Sequence, residues 1–154
     1  MNTAALAQPR CVLCHEVGGR LLWESDLVRV INADDAHYPA FTRVIYQSHV
    51  QEMSDLTPTQ RHELMDYVYL VEEVQRDILQ PTKINLAQFG TMVPHLHWHI
   101  IPRFQNDPHY PDAIWANIKR EVNDQAVKNY LENQKNLLTQ YESTLINRLK
   151  LSCK

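Results

Sequence analysis

Three histidines alternate with apolar residues in Pro94-His95-Leu96-His97-Trp98-His99-Ile100-Ile101. In an extended strand, successive side chains point to opposite faces. His95, His97 and His99 therefore share one face, and Leu96, Trp98 and Ile100 share the other. The apolar set is expected to anchor the strand on a core. The three imidazoles are then left to line a polar site or to meet solvent. Same-face neighbours lie roughly 6.5–7 Å apart along a strand, which puts the outer two about 13 Å apart. Bonds of about 2 Å cannot bring all three to one ion unless the strand bends sharply. Two neighbouring histidines could share a metal. The spacing suits an extended ligand, such as a chain of phosphates, better than a single ion. A cupin-like oxygenase or two-histidine metal hydrolase is disfavoured, because residues 100–105 carry no carboxylate after the His-x-His.

A second group of candidate ligands is Cys11-x-x-Cys14, which has the two-residue spacer of a zinc knuckle. The plainer reading is a pair of buried thiols. The third cysteine is Cys153. An odd count, with no signal-peptide core in the first ten residues, points to a reducing cytoplasm and away from a disulfide scaffold. A length of 154 residues suits one domain with a real core, spanning 1–154. At 44% apolar and 21% charged residues, the composition is that of an ordinary globular protein. The formal net charge of -3 gives no bulk electrostatic case for binding nucleic acid or membrane. No apolar run approaches the roughly 20 residues of a membrane span.

Several elements must position these residues. Leu21-Leu22-Trp23 and Leu27-Val28-Arg29-Val30-Ile31 are short strand candidates around a turn at Glu24-Ser25-Asp26. Residues 32–39 are polar and end in a proline, as a loop does. Residues 42–47 form the next strand. Thr57-Pro58-Thr59-Gln60 is a capping box with proline at the first helical position. Leu64, Val68, Val71, Val74 and Ile78 then recur at helical spacing as far as about Leu79, and Pro81 stops the helix. Residues 83–89 form a strand broken by Gly90. Residues 96–101 form another, ended by Pro102. After a loop over 104–111, a long amphipathic helix is expected over about 123–150. This order, without regular βα alternation, predicts an α+β fold with an antiparallel sheet.

The histidine run resembles the signature of the histidine triad (HIT) family at every position, His-φ-His-φ-His-φ-φ with φ apolar. Agreement extends through Asn85, Gly90 and Val93 upstream and Pro102-Arg103 downstream. Arg43-Val44-Ile45-Tyr46-Gln47-Ser48-His49 and Leu56-Thr57-Pro58 also look like the family's strand, histidine and helix start. The likeness covers roughly residues 11–103. It implies a HIT-like, half-barrel-like five-stranded antiparallel sheet with two main helices, and usually a homodimer. The long C-terminal helix, within an extension over about 112–150, lies outside the implied core. It would either cover the domain or extend a dimer interface.

The resemblance also implies roles. An α-phosphate is attacked by an unprotonated group placed in line, and imidazole is neutral near pH 7. The middle histidine, His97, would attack, with its other ring nitrogen held by the carbonyl of His95. A nucleotidyl–histidine intermediate would then be hydrolysed. His99 would contact phosphate oxygens or protonate the leaving group. Histidine rather than glutamine at position 99 resembles the hydrolase branches and not the transferase branch. Asn85 matches a position near the phosphates. Thr91 stands where many relatives carry a phosphate-binding glutamine. Asn32 or Asp34 is the expected ribose contact. Tyr46-Gln47-Ser48 replaces a turn in which relatives carry a cation. Cys11, Cys14, His49 and His95 match a structural zinc set found in some bacterial relatives, with no cofactor expected for catalysis. The implied function is hydrolysis of a purine, most simply adenine, nucleotide at its α-phosphate. The alternative is a non-catalytic nucleotide-binding or scaffold protein on the same fold.

Overall fold

The computed structural model describes residues 8–152; Cys153 and the first seven residues lie outside it. The elements are α1 (Val12–His15), β1 (Arg20–Glu24), β2 (Val28–Asn32), β3 (Thr42–Tyr46), a 3-10 turn (Met53–Asp55), α2 (Pro58–Leu79), β4 (Lys83–Gln88), β5 (His97–Arg103) and α3 (Gln125–Ser152). The five strands form one antiparallel sheet in the order β1-β2-β3-β5-β4. This is the α+β, HIT-like fold expected, with the long helix at the C-terminal end.

Strand alternation divides the sheet into two unlike faces. Val28, Val30, Val44, Tyr46, Ile84 and Ile100 enter the main core with Leu64, Val68, Val71 and Val74 of α2 and Tyr141, Leu145 and Leu149 of α3. The 3.6-residue period of both helices supplies these contacts. Thr57 caps α2 by accepting from the Gln60 amide, with the reciprocal Gln60 contact present. The stripe on α3 is thus buried within the chain: the Tyr141 hydroxyl lies 2.7 Å from that of Thr42, and Arg148 pairs with Glu73 of α2.

The expected element bounds need two corrections. β5 starts at His97 and runs through Pro102 to Arg103 instead of spanning 96–101. Beyond Thr42↔Ile100 it has left β3 and pairs only with β4, so the missing proline N–H interrupts no shared ladder. His95 and Leu96 precede the strand, in a turn where the His95 amide donates to Val93 and the Leu96 amide to Val50. The expected three-histidine strand face therefore holds only His97 and His99. The second correction concerns β2, which extends to Asn32. α1 and the 3-10 turn, one helical turn or less each, carry too short an apolar period to be read from sequence. No helix among the described residues is long and apolar enough to cross a membrane.

Candidate active site

The second sheet face carries the polar chemistry. Register pairs Ile45 with His97 and Arg43 with His99, so all four side chains project to the side away from α2 and α3. His97 Nδ1 donates to the carbonyl of His95 at 2.5 Å. A carbonyl can only accept, so Nδ1 carries the proton and Nε2 carries the lone pair. The His97 and His99 rings stand 4.8 Å apart and nearly perpendicular. His99 is ringed by Phe41, Phe89 and Trp115 at 5.4–5.8 Å, and its Nδ1 is buried without a hydrogen-bond partner.

Burial pushes the pKa of both imidazoles down. For His97, desolvation outweighs the raising effect of the His95 carbonyl, and nearby Arg43 lowers it further. His99 falls to about 3, chiefly through desolvation and then through His97 and Arg43. Neutral rings are what an attacking or hydrogen-bonding imidazole needs.

A cavity of about 670 Å³ opens over them. Leu13, Glu16 and Gly18 form one wall, Phe89 to Val93 and Trp115 the other, with Arg43, His97 and His99 between. Gly18 has φ +87°, a conformation that strains any other residue, and a Cβ there would sit 2.7 Å from Leu13 Cδ2 and displace that side chain. Arg29, nearly buried, ties the same wall to the sheet. Its guanidinium donates to the carbonyls of Leu13, Glu16 and Val17 and to Gln47 Oε1. Gln47, in the turn where a cation was expected to be missing, is thus an acceptor for Arg29.

His95 faces a different group. Its Nδ1 lies 3.4 Å from Cys11 Sγ and 3.6 Å from Cys14 Sγ, while His49 Nδ1 lies 3.3 Å from Cys14 Sγ. The four ligand atoms all fall within 4.8 Å of one another. His95 Nε2 donates to the Tyr46 carbonyl at 2.6 Å, which leaves Nδ1 as the lone-pair nitrogen aimed at the cysteines.

Among the expected substrate contacts, Thr91 lines the cavity, whereas Asn32 and Asn85 do not. Asn32 pairs with Thr42, on the helix side, and its amide donates to the Pro39 carbonyl and to Glu142 of α3. Because β2 reaches Asn32, strand alternation turns that side chain away from the histidines. Asp34 is exposed and pairs with Arg20. Asn85 shares the histidine face but lies opposite Ile101, and its Oδ1 accepts from Arg103 at 2.8 Å.

Sequence reasoning overlooked Arg43, Phe89 and Trp115 as site residues. It also overlooked Asp107, a buried carboxylate that accepts from the Arg103 guanidinium, the Tyr38 hydroxyl and the amides of Phe104, His109 and Tyr110. Asp107 pins the start of the loop that brings Trp115 over His99. The signals were available for Arg43, a cation inside an apolar strand run, but not for Trp115, whose position depends on loop packing.

Known proteins share this fold. The HIT domain pattern matches residues 15–106. A histidine triad protein from Bradyrhizobium japonicum superposes with a TM-score of 0.61 at 26% identity, over 79% of this chain and 92% of that one. One from Marinobacter aquaeolei VT8 gives 0.61 at 26% identity, over 81% and 92%. A bis(5'-nucleosyl)-tetraphosphatase [asymmetrical] from Schizosaccharomyces pombe is 30% identical over 87 residues, 53% of this chain and 48% of that protein. The chain therefore spans about half the length of the curated relative it matches. The matched residues include His49, the paired strands β3 and β5 and the whole histidine run, and the chain belongs to the HIT domain family.

Proposed function

We propose that this chain is a nucleotidyl hydrolase that cleaves an adenine or other purine nucleotide at its α-phosphate, with His97 as nucleophile. The observation that carries this reading is His97 itself. Its Nδ1–H is held by the His95 carbonyl, so its Nε2 lone pair is presented to a cavity that has space for a nucleotide. Similarity to a tetraphosphatase over half that protein's length supports a nucleotide phosphoanhydride or phosphoramidate as substrate.

In the proposed reaction, Nε2 attacks the α-phosphorus and the bond from phosphorus to the leaving group breaks, its electron pair going to that group. His99 hydrogen-bonds the departing atom: a polyphosphate leaves as the anion, and an amine takes up a proton from solvent as its bond to phosphorus breaks. Water then attacks the phosphorus, the P–N bond breaks, and its electron pair returns to His97. The nucleoside monophosphate and the water's protons leave to solvent. Thr91 is positioned at the cavity wall to donate to a phosphate oxygen, with a shorter reach than a glutamine.

Cys11, Cys14, His49 and His95 are the proposed zinc ligands. Tetrahedral zinc with bonds of about 2.0–2.3 Å requires ligand atoms roughly 3.3–3.8 Å apart; three sulfur–nitrogen separations of 3.3–3.6 Å fit, and the remaining pairs, within 4.8 Å, would close slightly around an ion. The carbonyl behind His95 is the second-shell partner that a metal-bound imidazole wants. Such an ion would tie the α1 segment to the sheet, and no catalytic step is assigned to it. Homodimerisation rests on the family alone, because the apolar stripe of α3 is already buried against α2 and the sheet.

The test is purified protein incubated with adenosine phosphoramidates and dinucleoside polyphosphates, with products separated by chromatography. Release of nucleoside monophosphate is expected. Nucleotide binding by calorimetry without any turnover would replace this reading with that of a binding protein.

A further inference from the structure

Arg43 stands out among the residues around the cavity. Among the described residues it is the sole lysine or arginine in the lining, and the one carboxylate there, Glu16, is exposed. Its Nε is buried without a hydrogen-bond partner. One terminal nitrogen makes a long 3.3 Å contact with the Gly18 carbonyl, and the guanidinium lies 5.0 Å above the Phe41 ring. No ion pair within contact distance holds it among the described residues; Asp35 acts on it only at longer range. Contrast Arg29 on the same sheet face, whose guanidinium makes four hydrogen bonds. A guanidinium stays charged at any ordinary pH. Half-burying one with no carboxylate in contact is costly, and an anion in the cavity would complete its bonding.

The register says where that anion sits. Arg43 is the cross-strand partner of His99, and Ile45 is that of His97. The two rows are roughly 6.5–7 Å apart along the strands. Arg43 therefore lies in the row of the leaving-group histidine, one step beyond the attacked phosphorus.

We infer that Arg43 is a specificity-determining anion contact that selects substrates whose leaving group carries further phosphates over those that release an uncharged amine. This inference rests on the proposed hydrolase reading and narrows its substrate class. When a phosphoanhydride breaks, negative charge grows on the departing oxygen and already resides on the phosphates beyond it. Arg43 neutralises that charge with planar N–H donors. A phosphoramidate releases an amine that carries no such charge, so the same cation contributes little.

The experiment compares diadenosine tetraphosphate with an adenosine phosphoramidate for wild type, Arg43→Met and Arg43→Lys, with melting curves on each protein. Loss of a charge-assisted contact is expected to lower kcat/KM for the tetraphosphate by about tenfold to a hundredfold. The phosphoramidate should change by less than about fivefold, and Arg43→Lys should restore part of the difference by charge alone. Equal losses on both substrates, or no loss on either, would overturn the inference while leaving the hydrolase reading intact. Should wild type turn over neither substrate, the hydrolase reading fails, and calorimetry with inorganic tripolyphosphate decides the contact. Binding lost in Arg43→Met and retained in Arg43→Lys upholds the anion site; unchanged binding in both variants ends it.

Discussion

The first histidine of the run, His95, and the other two, two and four residues further on, stand in opposite surroundings. His95 is fully buried, with one nitrogen on the Tyr46 carbonyl and the other against two sulfurs. Every polar atom of its imidazole has a partner. His97 and His99 border a cavity, and His99 Nδ1 and Arg43 Nε have none. Satisfied polar groups make a structure rigid, while unsatisfied buried ones mark places where a ligand completes the bonding. On the proposed reading, one strand start would serve both as a fastening and as a reaction site.

The largest expected effect breaks the comparison at the cavity end. His97→Ala should lower turnover at least a thousandfold, about 4 kcal/mol in barrier. Its fold should survive, because His97 lies off the main core face. Retention of more than a tenth of wild-type kcat, with contaminating hydrolases excluded, would remove His97 as nucleophile. The fastening end should respond in the other currency. His95→Ala should lower the melting temperature by roughly 5 °C or more and abolish zinc content of about one ion per chain, measured by elemental analysis after purification without chelator. Normal stability, with freely titratable Cys11 and Cys14 thiols, would contradict a metal site.

A pH series sharpens the contrast. The folded His99 titrates near 3, well below its ordinary 6.5. On acidification the unfolded chain therefore takes up that proton first. The stability linked to His99 is complete above pH 6.5 and drains away as pH falls from 6.5 toward 3. Melting curves at pH 7 and 5 should show a smaller acid loss for His99→Phe than for wild type; parallel curves would refute it. The smallest effect belongs to the aromatic rim. Trp115 is half-exposed and meets Phe89 edge-on at 4.9 Å. Trp115→Ala should raise KM by about three- to tenfold, with kcat changed less than twofold. A kcat loss as large as the KM change would move Trp115 from ligand contact to positioning of His99.

Much of the fold was legible because its signals are periodic. The alternation around Val44 and Trp98, the α2 stripe and the Thr57 cap each report a local rule that tertiary packing did not override. The histidine run and the Cys-x-x-Cys pair were legible by residue type. Asn32 and Asn85 fall outside the cavity lining for reasons of register: one extra strand residue turns Asn32 toward Glu142, and Arg103 engages the Asn85 oxygen. The division between His95 and His97 was hidden for a similar reason. Strict alternation was assumed across Pro94–Leu96, where the chain is still turning.

His95 couples the two groups through a single peptide unit. Its ring meets the cysteines while its own carbonyl holds the Nδ1 proton of His97. A shift in that single peptide would therefore alter the tautomer of the attacking ring with no ligand touching either. With the proposed zinc bound there, how a sample was purified, and in what chelator, would be written into its rate constants. Two laboratories with identical sequences and identical substrates would then measure different enzymes.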